Sequence, residues 1–203
     1  MGVSKSHKPN IYDILINKEK IWNAVVKTEY GDVISSGNEL AAATVELIDV
    51  ERREYVLRDA LYSIYADYDY IFIDCPPSLE LLTVNALAAS NSVLIPMQCE
   101  YYALEGIADL ITSVNLCKKR LNKGLEIEGI LLTMFDGRTN LTNQVAEELR
   151  THLGSKVYQT TIPRSVRLSE APSHGLPGVV YDKANKGSKA YMQFAEEFLS
   201  RSK

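Results

Sequence analysis

The sequence is poor in several features that assign a chain to a protein class. Its three cysteines, Cys75, Cys99 and Cys117, are widely spaced and form no C-x-x-C pattern. They predict neither a zinc site nor a disulfide framework, and we interpret them as small buried thiols. No apolar run approaches the roughly 18 residues needed to span a bilayer, and residues 1–10 lack the apolar core of a signal peptide. The net charge of −4 provides no global basic field, so contact with nucleic acid requires a local basic patch.

A phosphate-binding loop is also missing. The motif G-x-x-x-x-G-K-[ST] holds nucleotide phosphates with its amides and lysine, but the 203 residues contain no Gly-Lys dipeptide. A usual companion of that loop is present. Residues 71–73 are an apolar, β-forming run that predicts a buried parallel strand, followed by Asp74 and two prolines. An acidic residue at the carboxyl end of such a strand lies where α/β sheets bind ligands, and in nucleoside triphosphatases it helps to hold Mg²⁺.

Apolar strand-like runs alternate with helical patterns along the rest of the chain, which is typical of a parallel sheet covered by helices. The composition, with 46% apolar and 24% charged residues, is that of a globular protein. We therefore predict an α/β fold with a mostly parallel sheet flanked by helices, in a single domain over residues 1–203. The further predicted strands are 92–96, 127–134 and 156–162, and the main predicted helices are 40–50, 52–66, 78–89, 104–121, 139–153 and 186–199.

Several long blocks resemble the ParA/Soj family of chromosome- and plasmid-partitioning ATPases. They begin with Asp74-Cys-Pro-Pro-Ser-Leu and Asn85-Ala-Leu and continue through residues 96–106, 132–140 and 162–175. The resemblance covers about residues 2–198, and it implies a P-loop NTPase-like fold. The family's first strand and its deviant Walker A loop have no counterpart in this sequence. The resemblance therefore describes a single ParA-like ATPase domain that is N-terminally truncated relative to the family.

The resemblance also implies roles for individual residues. Asp74 would act as the switch carboxylate and bind Mg²⁺ through water. Pro163 and Ser165 would contact the adenine, although the family has asparagine where this chain has Ser165. Arg138 and Arg167 match arginines that contact the DNA backbone in the nucleotide-bound dimer; such phosphate contacts give affinity without sequence choice.

The resemblance predicts a partition protein that uses ATP and Mg²⁺ to form a homodimer on nonspecific DNA and that meets a ParB-type partner. We expect a cytoplasmic, nucleoid-associated protein without membrane contact. Because the phosphate loop is absent, we expect this chain to bind and hydrolyse no ATP by the family's route, and its status as an enzyme stays open. The alternative function is a nucleotide-independent regulatory protein that binds DNA, a ParB-type partner or a full-length ParA.

Overall fold

A computed structural model describes residues 1–76, 78 and 80–201 of the chain. The structure divides into two units. The N-terminal unit comprises Val3–Asn91 and Ser113–Glu126, and the C-terminal unit comprises Met1–Gly2, Ser92–Thr112 and Ile127–Lys203. The single-domain organisation stays a prediction, and each unit is described separately below.

The N-terminal unit is mainly helical and contains one antiparallel pair of short strands. Its elements are α1 (Ile11–Leu15), α2 (Ile21–Ala24), β1 (Val26–Thr28), β2 (Gly31–Val33), α3 (Leu40–Glu46), α4 (Val56–Leu61), α5 (Leu81–Ala89) and the end of α6 (Ala103–Arg120). The helices enclose an aliphatic core that includes Ile14, Leu57, Leu61 and Ala86. Burial of these side chains supplies most of the stability of such short helices.

Two buried asparagines determine where helices of this unit begin. Asn10 is fully buried and caps α1: its Oδ1 accepts a hydrogen bond from the Tyr12 amide at 2.9 Å, and its backbone amide donates one to the Asp13 carboxylate at 2.9 Å. Asn85, also fully buried, accepts from the Leu57 amide at 3.1 Å and donates to the Arg53 carbonyl at 2.8 Å. Because every such buried group needs a partner, these contacts hold the first turn of α4 against α5.

The C-terminal unit contains a three-stranded sheet with helices on both faces. The strands β3 (Ser92–Gln98), β4 (Glu126–Phe135) and β5 (Val157–Pro163) lie in that order, and β4 and β5 are parallel. Ile130 and Leu132 of β4 pack in one cluster with Leu149, whereas Leu131 packs in another with Ala190, as the alternation of a strand requires. The remaining helices are α7 (Asn140–Leu153), α8 (Val166–Glu170), α9 (Gly178–Tyr181) and α10 (Lys186–Arg201).

The outer edge of β5 is covered by side chains of α10. The Glu197 carboxylate accepts hydrogen bonds from the amides of Gln159 at 2.9 Å and Thr160 at 2.8 Å. Arg201 donates to the carbonyls of Ser155 at 2.8 Å and Val157 at 3.3 Å. These contacts satisfy backbone groups that an edge strand otherwise presents to other chains.

The predicted α/β fold with a parallel sheet flanked by helices is confirmed, but one strand is wrong. Residues 71–76 have no regular secondary structure, Phe72 is 74% exposed, and Asp74 is exposed. A β-forming run becomes a strand only when its backbone finds ladder partners, and no strand among the described residues pairs with this one. Pro77 lies outside the described residues. Cys99 and Cys117 are buried as predicted, whereas Cys75 is exposed.

Candidate functional site

An open cleft of about 500 Å³ lies where β5 ends in the C-terminal unit. Three of the residues singled out from the sequence line it: Pro163, Ser165 and Arg167. The other wall is the entry to α10. The full lining is Pro163, Arg164, Ser165, Val166, Arg167, Ala184, Asn185 and Lys186. The position, at the carboxyl end of a parallel strand, is where α/β sheets bind ligands.

The polar end of the cleft is organised around Asn185. Pro163 is the last residue of β5, and Ser165 follows in an extended conformation as the N-cap of α8. The Ser165 hydroxyl donates to Asn185 Oδ1 at 2.8 Å, and the Gly187 amide donates to the same oxygen at 2.8 Å. Asn185 Nδ2 makes no hydrogen bond to a described residue. The amide therefore offers two donors to a ligand in the cleft.

Asn185 was missed by the sequence reasoning. It lies outside the matched blocks that carried the predictions, and only its contact with Ser165, 20 residues away, reveals it. Ser165 has one hydroxyl where the family has an amide. In the structure that hydroxyl donates to the side-chain amide of Asn185. Asn185 therefore provides the amide donors that Ser165 lacks.

Arg167 has carboxylate partners on two sides. Its Nη1 lies 3.0 Å from Glu170 Oε2, and its Nε lies 3.7 Å from Asp182 Oδ2. The Tyr181 hydroxyl also donates to Glu170 at 3.4 Å, and the His174 ring stacks on Tyr181 at 4.8 Å. The hydrogen bond with Glu170 raises the pKa of Arg167, so this side chain stays charged at every physiological pH.

Arg138 lies outside the cleft, in the loop between β4 and α7. It is 89% exposed and binds Asp136 through two parallel hydrogen bonds, of 2.8 Å from Nε and 2.6 Å from Nη2. The Arg138 guanidinium lowers the pKa of Asp136 to about 2. Such exposed pairs contribute little to stability, and a phosphate group can replace the carboxylate on the guanidinium without a large loss.

The described residues do not provide a site for Mg²⁺. Asp74 is an exposed carboxylate in an irregular segment of the N-terminal unit, and no group of three or more His, Cys, Asp or Glu side chains capable of holding a metal occurs among the residues that the structure describes. A single carboxylate is a poor ligand set for Mg²⁺, which prefers six oxygens. The role predicted for Asp74 therefore stays a prediction. Within the described residues, no helix is long and apolar enough to cross a membrane.

Comparison with known proteins identifies close relatives by sequence. A family model described as an AAA domain matches residues 1–127. The chain is 50% identical over 200 residues to the sporulation initiation inhibitor protein Soj of Bacillus subtilis, covering 97% of this chain and 79% of that protein. It is 50% identical over 193 residues to the chromosome partitioning protein ParA of Myxococcus xanthus, covering 94% of this chain and 68% of that protein.

Similar solved structures include nucleotide complexes. A plasmid partition protein from Borrelia burgdorferi bound to AMPPNP superposes with a TM-score of 0.81 at 28% identity, covering 98% of this chain and 77% of that one. Cobyrinic acid a,c-diamide synthase from Mycobacterium smegmatis with bound ATP analogue and magnesium gives a TM-score of 0.80 at 29% identity, covering 96% and 73%. Both are proteins that this chain is similar to in fold and sequence.

Proposed function

Because the chain belongs to the Soj/ParA family of chromosome-partitioning proteins, we propose that it acts in chromosome or plasmid segregation by binding nonspecific DNA and a ParB-type partner. The observation that carries this proposal is the 50% identity to Soj over 97% of the chain. The corresponding place of action is the nucleoid, in the cytoplasm.

The DNA contact uses the guanidinium groups of Arg138 and Arg167. Both are exposed, and each is held by a carboxylate at 2.6 Å or 3.0 Å. A DNA phosphate exchanges with that carboxylate, and at Arg138 it takes over the two parallel hydrogen bonds now made to Asp136. Because phosphate contacts carry no sequence information, the binding is independent of sequence and falls steeply with salt.

A nucleotide would be held mainly by its base. The cleft offers the Pro163 ring for packing, and Asn185 Nδ2 offers hydrogen-bond donors to the base. The 203 residues contain no Gly-Lys dipeptide that could hold the phosphates, and Asp74 belongs to no group of three or more possible metal ligands among the described residues. Mg²⁺, when bound beside a nucleotide, neutralises phosphate charge, but no group of three or more His, Cys, Asp or Glu side chains that could hold it occurs among the described residues. We therefore propose that these 203 residues bind DNA without requiring nucleotide.

Homodimer formation would use the exposed pair Tyr101 and Tyr102. Each ring is 73% exposed, and the two stack edge to face at 5.0 Å just before α6. Aromatic rings that are exposed in this way are common anchors of protein interfaces. An assay of mass by sedimentation for the wild type and for Tyr101→Ser tests this assignment.

Calorimetry with the purified chain tests the nucleotide part of the proposal. We expect ATP and ADP to bind equally and weakly, with no gain when Mg²⁺ is added, because only the base finds partners. Asn185→Ala removes this binding, whereas Lys189→Ala, an exposed neighbour on α10, leaves it unchanged. Tight binding that requires Mg²⁺ contradicts the proposal.

DNA binding with and without nucleotide tests the second part. We expect the chain to bind a random duplex equally in the presence and absence of ATP and Mg²⁺, and the double variant Arg138→Ala, Arg167→Ala to lose most of this affinity. DNA binding that appears only with ATP would instead restore the nucleotide-dependent mechanism of a partition ATPase.

A further inference from the structure

A basic surface that includes neither Arg138 nor Arg167 lies in the N-terminal unit. We call it the Tyr55 surface, and it consists of Arg52, Tyr55, Arg58, Lys119, Arg120 and Lys123. The last three follow one another closely at the carboxyl end of α6, and each of them is exposed. The chain as a whole carries a net charge of −4, so this local excess of positive charge is opposite in sign to the net charge of the molecule.

Tyr55 holds the two parts of this surface together. Two guanidinium groups lie over its ring, with Arg58 Cζ at 4.1 Å and Arg52 Cζ at 5.6 Å from the ring centroid. Its hydroxyl donates to the Leu121 carbonyl at 3.2 Å. Stacking on an aromatic face restricts the arginine side chains, and the hydroxyl bond keeps them beside the last turn of α6. The same bond ties the end of α6, where Lys119, Arg120 and Lys123 lie close to Leu121 in sequence, to the segment that carries Arg52 and Arg58.

The positive charge of this surface is only partly neutralised. Arg52 and Arg58 share a single carboxylate, Asp59, at 3.5 Å and 3.3 Å. Lys119, Arg120 and Lys123 form no ion pair with any residue in the described part of the chain. The flanking cations are matched instead: Arg53 pairs with Glu54 at 3.3 Å, and Lys118 pairs with Glu126. The five cations of the Tyr55 surface therefore have one carboxylate partner, Asp59, in the described part of the chain.

Cations at the end of α6 also have a structural benefit, because they interact favourably with the carbonyl end of the helix. That benefit needs one or two charges within the last turn. It does not account for Lys123, which lies beyond the helix, or for the stacked pair on Tyr55. A phosphate backbone does account for the whole set, since guanidinium groups bind phosphate oxygens in a fork geometry and lysines add point charges.

We propose that the Tyr55 surface binds the phosphate backbone of duplex DNA as a contact region of the N-terminal unit, in addition to Arg138 and Arg167 of the C-terminal unit. The choice of DNA as the polyanion rests on the proposed function. The surface is present without nucleotide and gives the N-terminal unit its own share of the affinity.

The test is a salt titration of duplex binding by the full chain. The variant Lys119→Gln, Arg120→Gln, Lys123→Gln removes three of the cations, and Lys5→Gln, Lys18→Gln, Lys27→Gln removes three exposed lysines of the same unit as a control. Each lost phosphate contact lowers the slope of log K against log salt by about 0.9. We expect the first variant to lower the slope by about 2 to 3 and the affinity at least tenfold, with the control within about twofold.

A second variant, Arg52→Gln with Arg58→Gln, leaves the end of α6 intact, so it separates DNA contact from helix stability. Both variants are compared after thermal melting has established equal folding, and we expect a reduced slope in both. If both variants give the slope of the control, the inference is overturned. It is also overturned if the variants bind DNA like the control but lose binding to anionic phospholipid vesicles. Failure of the wild-type chain to bind DNA ends both proposals. If the Arg138→Ala, Arg167→Ala variant loses DNA binding while both variants of the Tyr55 surface bind like the control, only this inference fails.

Discussion

At the scale of single residues, Asp136 competes with DNA phosphate for the Arg138 guanidinium. The carboxylate occupies two of the guanidinium donors, and with the pKa of Asp136 held at about 2 it remains ionised throughout the physiological range. A DNA phosphate therefore competes with a permanent neighbour.

We predict that Asp136→Asn strengthens DNA binding by about two- to fivefold, because the competing charge is removed. Fluorescence anisotropy with a labelled duplex measures this change. In the Arg138→Ala background the same substitution has no effect on affinity. An equal gain in that background would show that Asp136 acts through general repulsion of DNA and not through Arg138.

Gly129 is a position where the packing of β4 allows no side chain. A methyl group there would overlap Cε2 of Tyr158 and lie 3.0 Å from the Lys156 carbonyl oxygen. Tyr158 is fully buried, and it is fixed by Phe194 at 4.9 Å and by the Arg201 guanidinium at 4.0 Å. The ring has therefore no room to move away.

We predict that Gly129→Ala lowers the free energy of unfolding by about 1–3 kcal/mol, the usual cost of overpacking. Gly106→Ala is the matched control, because Gly106 lies within α6 with no atom near the added methyl. There the change raises stability by about 0.5–1 kcal/mol through helix propensity. Urea denaturation measures the free energy of unfolding of both variants, and we expect it to fall for Gly129→Ala and to rise for Gly106→Ala. Equal losses would mean that the contact with Tyr158 is not the cause.

The candidate site was predictable residue by residue only where its contacts are local. Pro163, Ser165 and Arg167 are separated by four positions and follow one strand, so a motif brings them into one cleft. Asn185 joins them through a single side-chain hydrogen bond, which no spacing rule reveals. Asp74 shows the opposite case, because its motif is clear but the strand that was to position it is missing.

At the scale of elements, the contact between α10 and β5 makes a contribution to stability that depends on pH. Burial raises the pKa of Glu197, but the amides of Gln159 and Thr160 and the Arg201 side chain outweigh it, and the net pKa is lowered. The ionised carboxylate is thus favoured by folding. Its stabilisation is fully present above the ordinary carboxyl pKa and is lost as the pH falls through the lowered value.

We predict that Glu197→Ala destabilises the chain by about 1.5–3 kcal/mol near neutral pH, since two amides lose a charged acceptor. Glu196→Ala, an exposed neighbour on the same helix, changes stability by less than about 0.5 kcal/mol. The difference between the Glu197 variant and the wild type shrinks as the pH is lowered below the ordinary carboxyl pKa. A pH-independent difference in thermal melts would contradict the assigned cause.

Strands and helices were predicted well where their neighbours are part of the described structure. β3, β4 and β5 fall within about two residues of the predicted ranges, and α7 begins one residue after the predicted Thr139, which caps it. The helix predicted over 52–66 is shorter, because Arg52 has a positive φ of 56° and α4 ends at Leu61. The spacing of apolar residues predicts that such a segment is helical, whereas the backbone conformation at its ends determines where the helix begins and ends.

At the scale of the whole molecule, an extended apolar segment lies on the surface. Phe72 is 74% exposed, and Ile71 is 38% exposed. Exposed β-forming segments promote association between chains.

We predict that Phe72→Lys reduces self-association of the purified chain, because a charge interrupts the apolar segment. Tyr62→Lys is the control: Tyr62 is 86% exposed but adjoins α4 and lies outside the segment. Light scattering during a concentration series measures the difference, and an equal effect of both substitutions would indicate a general influence of net charge.

The clasp of Glu197 and Arg201 on β5 also limits how the sheet can join other sheets. With this side occupied by α10, the backbone groups of β5 that Glu197 and Arg201 engage are not available to a further strand. Strand addition at β5 therefore requires α10 to detach first.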